Sequence, residues 1–152
     1  AYEGESMFHT VAADNLAEIV RLAAERPETR VLNSGDPEPP TVREIASAIA
    51  GVLSYEWEQI PVPRRLSGDP FLENPWAVPR PWVLDMTKAH HDLGYRPVTT
   101  YTERIADTVE WIVQRVSGLG DQAFSDAIPY LPRAFDYRAE DVFLRTMGSM
   151  QG

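Results

Sequence analysis

Cysteine is absent from this chain of 152 residues, and Lys88 is the only lysine. Without a thiol there is no disulfide framework and no thiolate metal site. No apolar run approaches the roughly 18 residues needed to span a bilayer. The N-terminal stretch Ala1-Tyr2-Glu3-Gly4-Glu5 has neither the basic flank nor the apolar run of a signal peptide. A cytoplasmic protein with no membrane partner is the expectation. Positive charge is also scarce. Fourteen Lys and Arg face 23 Asp and Glu, a formal charge of −9 with a pI near 4.7. That balance argues against nucleic acid as a partner. Thirteen of the 14 basic residues are arginine. A GC-rich coding sequence explains this most simply; the functional alternative is a set built for phosphate or carboxylate recognition. Among the three histidines, His90 and His91 are neighbours on an expected helix and so point about 100° apart. Helical metal ligands need spacings of three or four, so no metal site is expected.

What is present suffices for one modest core, with 43% hydrophobic residues. Phe8 to Val11 reads as a short strand leading into a helix capped at Asp14 or Asn15. Leu16, Ile19, Val20 and Ala23 share a face of that helix, which Pro27 ends. Arg30 to Asn33 reads as a second strand closed by the turn residues Ser34-Gly35-Asp36-Pro37. Strand, helix, strand implies a βαβ unit in a parallel sheet. Thr41 and Glu44 form a capping box ahead of a helix whose stripe is Val42, Ile45, Ala46, Ile49 and Val52. Trp57 to Val62 reads as an edge strand between prolines. From 63 to 81, prolines interrupt every pattern, and a loop of that length is usually functional or disordered. Trp82 to Leu84 reads as a short strand. Asp85 should cap a short helix ending at Gly94. Thr100 and Glu103 form a second capping box before a helix burying Ile105, Val109, Ile112, Val113 and Val116. A last helix is expected over Asp136 to Met147, with Val142, Phe143 and Met147 on one side.

Four phrases in this order resemble the C-terminal part of NAD-dependent epimerase/dehydratases, which are extended short-chain dehydrogenase/reductases. They are Ala13-Asp14-Asn15-Leu16-Ala17, Val31-Leu32-Asn33-Ser34-Gly35-Asp36, Leu84-Asp85-Met86-Thr87-Lys88-Ala89 and Leu93-Gly94-Tyr95-Arg96-Pro97. Pro40-Thr41-Val42-Arg43-Glu44-Ile45-Ala46 matches a further family phrase. The resemblance covers residues 8 to 116. It implies an α/β fold: the last βαβ element of a Rossmann-type sheet over 1–50, a small mixed α/β substrate domain over 51–116, and a helical tail over 117–152. It also implies that the dinucleotide-binding half is missing. The family's glycine-rich turn is absent, and so is its tyrosine followed four residues later by lysine. The six tyrosines are followed at that spacing by Ser6, Gln59, Thr99, Ile105, Ala134 and Asp141. This segment alone therefore supplies no catalytic residue and binds no cofactor, while NAD or NADP would serve the parent protein. Gly118-Leu119-Gly120-Asp121-Gln122-Ala123 fits G-x-G-x-x-A, but it follows a helix where the motif requires a strand.

On the resemblance, this portion covers the substrate. Arg64, Arg65 and Arg80 are candidate clamps for a phosphate or carboxylate, and Trp76 is a candidate stacking surface. Asn33 and Ser34, at the carboxyl end of the expected last strand, are candidate substrate contacts. The blander reading makes the arginines solvated charges. Arg65-Leu66-Ser67-Gly68-Asp69 resembles the R-x-G-D phrase of nucleotide-sugar epimerases with one residue inserted. A nucleotide sugar and another small carbonyl or hydroxyl compound both remain open as substrate. The competing reading is a non-catalytic ligand-binding or assembly module. In either case a parallel strand with exposed edges needs cover, from the missing half or from a second copy in a homodimer.

Overall fold

The computed structural model describes residues 2–63, 76, 78–119 and 136–150, with side chains given through Met147 in the last span. Its regular structure is helical. After a single 3-10 turn at Tyr2–Gly4 come α1 (Ala13–Glu25), α2 (Val42–Leu53), α3 (Thr87–Leu93), α4 (Tyr101–Leu119) and α5 (Tyr137–Met150). Among the described residues there is no sheet; two isolated bridges, Met7 with Thr41 and Phe8 with Trp82, are the whole of the strand pairing. The expected α/β, Rossmann-type architecture is therefore corrected to a small all-helical protein.

The reason is visible at Phe8. Trp82 donates its amide to the Met7 carbonyl at 2.9 Å, and the His9 amide donates to the Trp82 carbonyl at 2.9 Å. That is one rung of a parallel ladder. The next rung would take the Leu84 amide to a backbone carbonyl. The His9 ring intercepts it instead, with Nδ1 accepting from Leu84 at 2.9 Å. The segment 30–33 joins no ladder either: Val31 is 85% exposed, while Leu32 packs against the core. Trp57 to Val62 has no regular secondary structure and is exposed, except for a buried Val62 whose carbonyl accepts from the Glu3 amide.

The helices follow their local signals closely. The Thr41 hydroxyl accepts from the Glu44 amide at 3.2 Å, and the Glu44 carboxylate accepts from the Thr41 amide at 2.7 Å. Both arms of the capping box are thus made. These bonds hold the Glu44 carboxyl below its ordinary value, the backbone amide contributing most. Before α4, Glu103 accepts from the Thr100 amide at 2.8 Å and from the Thr99 hydroxyl at 3.0 Å. The expected Asp85 cap is corrected: the N-cap of α3 is Met86, with no side-chain cap bond, while Asp85 just outside it accepts from the Thr87 amide at 2.8 Å. α3 ends at Gly94 in the left-handed conformation, φ 68°. The start of α1 differs from expectation. Its N-cap is Ala12, which has no side chain to bond, and Asp14 sits in the first turn. Its buried face is Asn15 and Ile19, with Leu22 and Ala23 alongside, whereas Leu16 and Val20 are exposed.

Two packing seams result. α1 meets α3 through a closed apolar cluster of Ile19, Ala89, Leu93 and Tyr95. α2 meets α4, but there the apolar stripes do not close.

Candidate functional site

The α2–α4 seam is a cleft of about 440 Å³. Its walls are Ile45, Ile49 and Leu53 from α2, and Ile105, Val109, Ile112 and Val113 from α4. Each set recurs at helical spacing, so one face of each helix lines the space. Val109 is buried, yet Ile112 and Val113 remain 44% and 45% exposed. Thr10, Val11, Ala12 and Asp36 line the cleft from the segment entering α1 and the turn before α2, and Tyr101 and Trp76 add aromatic surface. Arg104 also lines it, with its guanidinium paired to Asp14 at 2.6 Å and to Asp107 at 3.1 Å.

Beneath the cleft lies a polar hub. Asp36 is 1% exposed. Its Oδ2 accepts from the Thr10 hydroxyl at 2.7 Å, and its Oδ1 accepts from the Ala12 amide and from Asn15 Nδ2, each at 2.8 Å. Asn15, fully buried, also donates to the Thr99 carbonyl at 3.0 Å. Its Oδ1 accepts from the Val98 and Thr99 amides at 2.9 and 3.2 Å. All four hydrogen-bonding positions of this side chain are used, as a buried amide requires. One Asp and one Asn thereby tie together chain segments near residues 10, 36 and 99.

His9 and Gly35 complete the hub. His9 Nδ1 accepts from Leu84, so the proton sits on Nε2, which donates to the Asp36 carbonyl at 2.7 Å. The ring lies so close that a Cβ at Gly35 would fall 2.3 Å from Nε2. Glycine is required there by contact.

Beside the cleft, a second groove of about 510 Å³ runs between the Pro37–Pro40 turn and the start of α4, and Tyr101 lines both. The Tyr101 phenol is pushed up, by burial first and then by the negative charge of Asp36. It stays neutral and is a donor at ordinary pH. Tyr95 is also pushed up by burial, and its hydroxyl is buried without a partner among the described residues.

Of the candidates read from the sequence, Trp76 lines the cleft. Arg64 and Arg65 lie outside the described residues. Arg80 is exposed and is not among the residues described as lining the cleft. Asn33 donates from Nδ2 to the Asp85 carbonyl at 2.9 Å, a structural tie between two loops. The Ser34 hydroxyl is buried and unpartnered among the described residues. Sequence reasoning did not single out Asp36, Thr10 or Tyr101. The available signal was that Asn15, Asp36 and Thr99 lie in or beside the family-like phrases, which here converge on one network.

Gly118 and Leu119 of the G-x-G-x-x-A match belong to α4, whose ladder occupies their amides; Gly120 to Ala123 lie outside the described residues. His90 Nδ1 lies 2.8 Å from the Tyr95 carbonyl and His91 Nδ1 lies 2.9 Å from Asp92. No described helix is long and apolar enough to cross a membrane. Compared with family models, with curated proteins and with solved structures, the chain gives no match in any of the three. Fold and cleft together describe a small helical protein with one apolar seam closed and the other open.

Proposed function

We propose that this chain is a small-molecule-binding portion of an NAD(P)-dependent epimerase/dehydratase or carbonyl reductase, with the α2–α4 cleft as its ligand site. The observation that carries the reading is the cleft itself. Its apolar walls and few polar groups, set on a rigid hydrogen-bonded floor, have the composition of a ligand pocket. The catalytic tyrosine–lysine pair and the nicotinamide cofactor belong, on this reading, to a dinucleotide-binding half that this segment lacks. Val31, at 85% exposure, and the apolar Trp82 and Val83 beside the single parallel rung are the surface such a half would cover.

The expected behaviour is binding without turnover. Ligand-observed NMR with small cyclic alcohols and ketones should show saturation transfer, and Ile49→Trp, which fills the cleft, should abolish it. Consumption of NADH or NADPH by this chain alone with any of these compounds overturns the reading, as does binding indifferent to Ile49→Trp. A non-catalytic assembly module is favoured by one separate observation, the exposed apolar surface of Trp111 and Leu119 on α4. It predicts a concentration-dependent mass in sedimentation.

A further inference from the structure

Among the described residues, Asp36 is a buried carboxylate without a cationic partner. Its hydrogen bonds come from a hydroxyl, a backbone amide and a side-chain amide, all of them neutral. No arginine, lysine or histidine among the described residues forms an ion pair with it. A buried charge is costly unless something of opposite sign stands near. Three neutral donors orient this charge but do not neutralise it. Among the described residues Oδ2 accepts a single hydrogen bond, from Thr10, and a carboxylate oxygen can accept more than one.

The charge also lies beside the cleft. Asp36 lines it together with Tyr101 and Trp76, and the Tyr101 phenol feels the carboxylate's field. The cleft's own cation, Arg104, is engaged by Asp14 and Asp107. Two aromatic rings and a carboxylate with no cationic partner among the described residues, in a cleft whose other walls are mostly apolar, form the environment that attracts an organic cation. The ring faces attract it through their quadrupole and the carboxylate through Coulomb's law. We infer that the ligand of the α2–α4 cleft is an amine: an apolar body against Ile49, Val109 and Ile112, with a protonated nitrogen held between Trp76, Tyr101 and Asp36. The inference rests on the cleft being the ligand site, and it names the chemical class that the cleft selects. It opposes an anionic substrate such as a nucleotide sugar, whose phosphates Asp36 would repel.

The test is a charge series of one shape. At pH 7, 3-phenylpropylamine, 3-phenylpropan-1-ol and 3-phenylpropanoate are titrated into the full chain by calorimetry. The amine should bind at least tenfold more tightly than the alcohol, and the carboxylate most weakly. Asp36→Asn keeps the shape and the acceptor for Asn15, and should bring amine and alcohol to equal affinity. Should that variant fail to fold by circular dichroism, Trp76→Ala, at a more exposed position, carries the test; it should cost the amine several-fold more than the alcohol. Equal binding of amine and alcohol, tighter binding of the carboxylate, or an amine preference that survives in the folded variants overturns the inference and leaves the cleft as a ligand site. Absence of binding by all three removes both.

Discussion

The two helix pairs of this protein use similar materials and end differently. Between α1 and α3, Ile19, Ala89, Leu93 and Tyr95 close into a cluster with almost no exposure. Between α2 and α4, residues of the same kinds line an open space of about 440 Å³. The difference lies in what ties the backbones together. Asn15 on α1 bonds the chain at Val98 and Thr99, in the loop between α3 and α4, and Asp36 bonds the entrance of α1. These bonds fix α1 against the loop that follows α3, and Arg26 at the end of α1 donates to the Asp92 carbonyl of α3 at 3.2 Å. α4 is tethered to α2 mainly through apolar contact, and apolar contact is not directional. The closed seam is crossed by a directional bond, whereas the open one is floored by the Asp36 hub but, among the described residues, is crossed by no hydrogen bond between α2 and α4.

That contrast can be broken experimentally. The largest effect should come from Asn15→Ala, which leaves the Thr99 amide and carbonyl and the Asp36 carboxylate short of partners; it should cost about 4 kcal/mol in urea unfolding. A cost below about 1 kcal/mol would mean the hub does not hold the closed seam. Next, Leu93→Ala and Ile49→Ala should separate the two seams. The first opens a cavity in packed surroundings at about 3 kcal/mol, and the second removes a wall of an existing space at about 1 kcal/mol. Equal costs would show that the cleft is closed in solution. Gly35→Ala should cost about 2 kcal/mol through its clash with the His9 ring. The cost should shrink in a His9→Ala background, a coupling that a double-mutant cycle measures.

The smallest effect is a matter of pH. The Glu44 and Glu103 carboxyls are held below their ordinary value of 4.5, each chiefly by the backbone amide of its capping threonine. A carboxyl whose folded value is lowered contributes fully above its unfolded value and loses that contribution as pH falls through the lowered one. Helicity of α2 and α4 should therefore be constant from neutral pH down to about 5 and decline below 4.5. In Glu44→Gln the decline should be shallower. An unchanged acid limb in that variant would remove the cap from the account.

Helix ends were legible because they are decided within four residues. Thr41 with Glu44 and Thr100 with Glu103 satisfy amides inside their own segment, and Gly94 supplies the left-handed turn that ends α3. Strands were not legible, since a strand exists only if a neighbour pairs with it. Trp82 to Leu84 and Phe8 to Val11 have strand-like composition, yet the His9 side chain takes the amide that a second rung required. Val31 has strand-like composition too, and nothing described covers it. The start of α1 failed for a related reason. Both Asp14 and Asn15 are good caps in isolation, but Asn15 is drawn inward by Thr99, which is 84 residues away, and Asp14 is drawn outward by Arg104. The cleft was half visible. Its walls followed from helical periodicity, and Trp76 was singled out, whereas the floor was not, because nothing local marks Asp36 as buried.

By itself, the order of residues determined where α2 and α4 start and where α3 stops, which faces of α2 and α4 are apolar, and that no thiol chemistry is available. Only the tertiary structure decided that the extended segments would not become a sheet, and that one apolar seam would close while the other stayed open. The physical reason is distance along the chain: a cap or an amphipathic stripe is settled by neighbours a turn away. The partners of His9, Asn15 and Asp36 come from segments 21 to 84 positions distant, brought together only when the chain has folded.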